Sequence, residues 1–68
     1  MSADNMIVVQ QNSGKRWVAQ HWFHSYDGLP DPELVPDGET YPSLQVCVEL
    51  NNARARETEY GFHIVVAP

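Results

Sequence analysis

Ser43-Leu-Gln-Val-Cys-Val-Glu-Leu-Asn-Asn-Ala-Arg-Ala-Arg56 reads two ways, and the choice sets the architecture of the whole chain. Over its first half Val46, Val48 and Leu50 alternate as a strand would, with β-branched residues in favour of that reading. Over its full length the period is helical. At 100° per residue Gln45, Glu49, Asn52 and Arg56 form one narrow polar stripe, while Leu44, Cys47, Val48, Leu50, Ala53 and Ala55 occupy the remaining surface. Ser43 is a suitable N-cap, Pro42 suits a helix entrance, and Arg54 and Arg56 stand where cations stabilise the C-terminal end of the helix dipole. The segment is predicted to be a helix with Ser43 at its head.

Upstream, Met6-Ile-Val-Val-Gln10 is a short β-branched run. It is followed by Asn12-Ser13-Gly14 and by the aromatic-rich Arg16-Trp-Val-Ala-Gln-His-Trp-Phe-His24, which together read as a hairpin. Downstream, Tyr60-Gly-Phe-His-Ile-Val-Val66 alternates Phe62, Ile64 and Val66 with His63 and Val65 and reads as a third strand. The order strand, strand, helix, strand in 68 residues implies one small α+β domain spanning 1–68, since a chain this short supports a single core. A helix that runs back along the sheet would return the chain antiparallel to the first strand. The expected fold is therefore ββαβ, a three-stranded antiparallel sheet of order 2-1-3 with one helix packed on one face. Ile7, Val9, Phe62, Ile64 and Val66 are expected to face the helix. The opposite face then receives Met6, Val8, Val18, Trp22 and Val65, to be covered either by the loop between strand two and the helix or by another protein.

Charge is unevenly distributed. The formal net charge is −5, but all four basic residues lie in the pairs Lys15-Arg16 and Arg54/Arg56. Residues 17–53 hold Asp27, Asp31, Glu33, Asp37, Glu39 and Glu49 with no internal counter-charge. The first five share their stretch with Gly28, Pro30, Pro32, Pro36 and Gly38, so no regular element is expected to run through it. An acidic, semi-stiff Pro/Gly-rich surface loop at about 27–42 is the result. An acidic domain is a poor partner for nucleic acid or anionic membrane. Aromatics flank the acids, and carboxylates mixed with Trp22, Tyr26 and Tyr41 make a better protein-binding surface than carboxylates alone. Asp27, Asp31, Glu33, Asp37, Glu39, Trp22, Tyr26 and Tyr41 are the candidate partner-binding residues.

Other chemistry finds little support. His21 and His24 fall on opposite sides of an extended strand, His63 comes from another strand, and Cys47 lies on the apolar side of the helix, so no metal site is expected. The acids lack the alternating spacing of a calcium loop. Asn12-Ser13-Gly14-Lys15 is too short for a phosphate-binding loop, and a single sheet with one helix has little depth for a water-excluding pocket; neither an enzyme nor a cofactor is expected. One cysteine closes no internal disulfide, and the apolar run Met6–Val9 is too short for a secretory h-region or a membrane span, which points to a soluble, cytoplasmic protein.

Asp4-Asn5-Met6-Ile7-Val8-Val9, Arg16-Trp17-Val18, the proline-rich acidic middle, Ser43-Leu44 and Glu59-Tyr60-Gly61-Phe62-His63-Ile64 together resemble small proteins of phages and mobile elements in proteobacteria. Within that group the chain is similar to anti-CRISPR proteins acting on type I systems of the I-C kind. The resemblance implies a non-enzymatic inhibitor in the cytoplasm of the host bacterial cell, docked on a Cas protein or CRISPR effector complex and blocking target DNA binding. The acidic loop would then be a DNA-mimicking surface. The alternative, from another functional class, is a small self-associating assembly module of phage origin that dimerises through its apolar sheet face.

Overall fold

The computed structural model describes residues 5–57, the side chains of 54–57 excepted, and 63–67. Two strands, β1 (Asn5–Gln11) and β2 (Trp17–Phe23), form the hairpin, followed by a long connection, the helix α1 (Leu44–Glu57) and the strand β3 (His63–Val66). The sheet order is β2-β1-β3, so the expected α+β architecture with the first strand in the centre is present. Tyr60, Gly61 and Phe62 of the expected third strand lie outside the described residues.

The hairpin turns through three residues. The Lys15 amide donates to the Asn12 carbonyl, the Arg16 amide donates to Asn12 Oδ1, and the Asn12 amide donates to the Arg16 carbonyl. Lys15, not Gly14, takes the left-handed conformation, at φ 64°. This is the three-residue loop in which a tight turn is closed by one left-handed residue, a position that usually favours glycine.

β1 pairs antiparallel with β2, from Asn5↔Phe23 to Gln11↔Trp17, but parallel with β3, from Met6↔His63 to Val9↔Val66. The sheet is therefore mixed, where three antiparallel strands were expected. The reason lies in the connection. After β2 the chain travels back along the strand until Tyr41 pairs with Trp17, at the opposite end of β2 from Phe23. The helix starts there, three residues later, and its 14 residues carry the chain about 21 Å to the end of the sheet where β1 begins. β3 must then run the same way as β1.

The helix begins as expected. Ser43 Oγ accepts from the Val46 amide at 3.2 Å, which satisfies one of the donors left over at a helix start, and the Ser43 carbonyl accepts the first intrahelical bond, from the Cys47 amide at 3.1 Å. The side turned to the sheet is Leu44, Cys47, Val48 and Asn51, at i, i+3, i+4 and i+7. Asn51 is 1% exposed and donates through Nδ2 to the Cys47 carbonyl one turn back. Val46 and Leu50, by contrast, are on the outer surface.

Two clusters sit on either side of the sheet. Ile7 and Val9 pack with Cys47, Trp17, Ala19, Tyr41, Leu44, Val48 and Ile64 under the helix. Met6, Val8 and Ala67 pack with Trp22 and Val65 on the other face. The expected partition of β1 is therefore correct, and Ile64 joins the helix side. Val66 is in register with Val9 but 49% exposed, because the helix start is drawn over β1 and β2 by Tyr41. The second face is not bare. Val8 and Val18 are fully buried, and Pro30 of the connection is buried with them.

Replacing Lys15 by glycine should relieve the left-handed strain and raise unfolding free energy by about 0.5–1 kcal/mol, measured as a shift in the urea midpoint without a change in slope. Burial pushes the Cys47 thiol above its ordinary value of 9.0. A folded-state value raised in this way stabilises the fold fully below about pH 9 and ceases to do so as pH rises through the raised value. Cys47 in the native protein should resist thiol reagents at neutral pH and react at once in denaturant, followed by absorbance.

Candidate functional site

The acidic connection is seated on the sheet by side chains of both long strands. Trp22 Nε1 donates to the Gly28 carbonyl at 3.1 Å, Gln10 Nε2 to the Pro30 carbonyl at 2.7 Å, and Gln20 Nε2 to the Asp31 carbonyl at 2.9 Å. Gln10, Gln20 and Trp22 lie on the face away from the helix, so Gly28–Asp31 form a lid over Val8 and Val18. Prolines suit this course, since a segment that lacks some backbone donors loses little by running outside a ladder. The seat has one defect: Gln20 Oε1 is buried with no hydrogen-bond partner among the described residues.

Two single 3₁₀ turns, Pro32–Leu34 and Asp37–Glu39, follow in a stretch where no regular element was expected; each is one turn long, which proline at a turn entrance permits. Asp31 caps the first, its Oδ1 accepting from the Glu33 amide at 2.9 Å. The Glu33 carboxylate then reaches the hairpin tip, accepting from the Ser13 amide at 2.7 Å and the Ser13 hydroxyl at 2.9 Å. At the end of the second turn Thr40 is buried, accepts at its hydroxyl from Arg16 Nε and at its carbonyl from Arg16 Nη2, and donates to the Asp37 carbonyl. Tyr41 closes the path through its backbone pair with Trp17, at 2.9 and 2.8 Å.

The candidate residues divide accordingly. Asp31 and Glu33 are exposed at the surface but fasten the loop, and Tyr41 packs into the cluster beneath the helix. Trp22 is half-buried, holds Gly28, and meets Tyr26 edge-on at a ring separation of 5.0 Å. Asp27, Asp37, Glu39 and Tyr26 are exposed, and among the described residues no carboxylate of the loop is in an ion pair. The five acids do not converge. They follow the loop along β2, a distance of about 20 Å for a seven-residue strand.

Apolar surface stands among them. Leu34 is 77% exposed and Leu29 51%, both within the acidic stretch. A shallow cleft of about 440 Å³ opens between the edge of β2 and the returning loop, lined by Ala19, Gln20, Leu34, Pro36, Glu39 and Tyr41. Leu34 has no signal in the sequence that separates it from a core leucine; only the course of the loop turns it outward. Among the described residues no helix is long and apolar enough to cross a membrane, and no group of three or more His, Cys, Asp or Glu is placed to hold a metal ion. No family model matches the chain, and neither do curated proteins or solved structures.

The Glu33–Ser13 contact predicts a mechanical role for a residue that charge alone assigns to binding. Glu33→Ala should cost about 0.5–1.5 kcal/mol and speed amide hydrogen exchange at Ser13 and through 32–35, with β1 protection unchanged. Exchange confined to Ser13, with the loop unaffected, would contradict it.

Proposed function

We propose that this chain is a non-enzymatic protein-binding inhibitor that offers its acidic loop, with Leu34 and the adjoining cleft, to the basic DNA-binding surface of a protein partner. In keeping with the resemblance of its sequence to anti-CRISPR proteins, the partner in this reading is a Cas protein or effector complex of a type I system, met in the bacterial cytoplasm. The observation that supports it is the way the loop is held. Asp27, Asp37 and Glu39 project from a segment fastened at Gly28, Pro30, Asp31, Glu33, Thr40 and Tyr41. Charges carried on a seated loop need little further ordering when a partner arrives, and that lowers the entropic cost of association. Among the described residues these carboxylates have no counter-ion, and exposed like charge accelerates encounter with a Lys- and Arg-lined surface and makes it sensitive to salt. Exposed Leu34 supplies an apolar contact among the charges.

The alternative of an assembly module that dimerises through the bare sheet face loses its main support, because Val8 and Val18 are already buried beneath the loop. Trp22 is committed to Gly28 and is not an independent anchor.

The test separates charge from architecture. Reversing Asp31 or Glu33 would unfasten the loop as well as change its charge, so the informative variant is Asp27→Lys with Asp37→Lys and Glu39→Lys. At about 1 kcal/mol per reversed charge, binding to a type I effector complex should weaken by about 100-fold or more, with thermal stability little altered. Wild-type binding should also fall steeply as salt rises. A triple variant that binds normally overturns the charge-based reading, and a stable dimer in light scattering revives the assembly module.

A further inference from the structure

On the sheet face away from the helix, at the end where β1 begins, the rings of His24 and His63 stand 5.6 Å apart, centre to centre, with planes at 77°. His24 follows the last residue of β2, and His63 opens β3 in register with Met6, so the two come from strands on opposite sides of β1. Both are exposed.

We propose that His24 and His63 form a two-histidine site for a divalent transition-metal ion, zinc first. A ring nitrogen about 2.0–2.1 Å from zinc places the ring centre about 3.2 Å from the metal, and two such rings at a tetrahedral angle have centres about 5.2 Å apart. The separation of 5.6 Å is within a few tenths of an ångström of that. Bringing one nitrogen of each ring onto a common point is then mainly a matter of rotation about χ2, a broad and inexpensive torsion for histidine. Imidazole selects borderline ions such as zinc over calcium or magnesium, which take hard oxygen ligands. Among the described residues no third His, Cys, Asp or Glu joins the pair. A bound ion would tie the end of β2 to the start of β3 across β1, giving a four-residue strand a second lateral restraint.

The test is a zinc chloride titration of the full chain at neutral pH, followed by calorimetry, thermal unfolding and the imidazole C–H resonances. One ion should bind saturably, and at ten times the dissociation constant the melting temperature should rise by about 5 °C or more. His24→Ala and His63→Ala should each weaken binding at least tenfold, His21→Ala should leave the shift in place, and calcium should produce none. Equal zinc affinity in wild type and either variant overturns the proposal. So does a wild-type spectrum in which zinc moves only one of the two ring signals or neither, a readout that needs no variant to fold.

Discussion

Two hydrogen bonds between the backbones of Trp17 and Tyr41 carry more consequence than any side-chain contact in this protein. They hold the return of the chain at the hairpin end of the sheet and leave only Pro42 and Ser43 before the helix. From that starting point the helix can only run towards the beginning of β1, and β3 has to enter parallel to it. The pair also blocks part of the open edge of β2, where unpaired backbone would otherwise invite another strand. Tyr41 then contributes its ring to the cluster around Cys47. Strand direction, helix placement and edge protection all follow from one closure.

The core that results is thin on both sides, as expected for a chain this short. Val8, Val9, Val18 and Cys47 are its fully enclosed apolar members. One face obtains its cover from the helix and the other from a loop with no ladder of its own. Covering apolar surface with a loop exposes the problem of unpaired carbonyls, and here the amides of Gln10 and Gln20 and the Trp22 indole answer it at three successive places. The same arrangement gives the carboxylates two uses. Asp31 and Glu33 spend their oxygens on backbone and hydroxyl donors that shape the loop, and Asp27, Asp37 and Glu39 remain at its surface. An acidic segment can thus be part of the architecture and still carry a field.

The elements were legible because each is marked locally: the β-branched runs, the turn at Asn12, the Ser43 cap and the helical period behind it. The faces of β1 followed from alternation. The direction of β3 was not legible, because it depends on how far the proline-rich connection travels, and a segment without periodicity has no length in space that can be read from composition. Buried Asn51 was missed for a related reason. A polar residue joins an apolar stripe when its amide returns to its own helix, a bond that exists only once the helix does.

What the sequence by itself determined is the set of elements, the order of the strands, and an acidic stretch with no basic residue inside it. Tertiary structure alone decided the parallel pairing of β3, the use of the loop as a lid, and the separation of fastening carboxylates from projecting ones. It also brought His24 and His63 together at one end of the sheet. The physical reason is the same in each case. Periodicity and capping act over a few residues, whereas these outcomes turn on where a long connection comes to rest, and that is set by hydrogen bonds between residues remote in the chain.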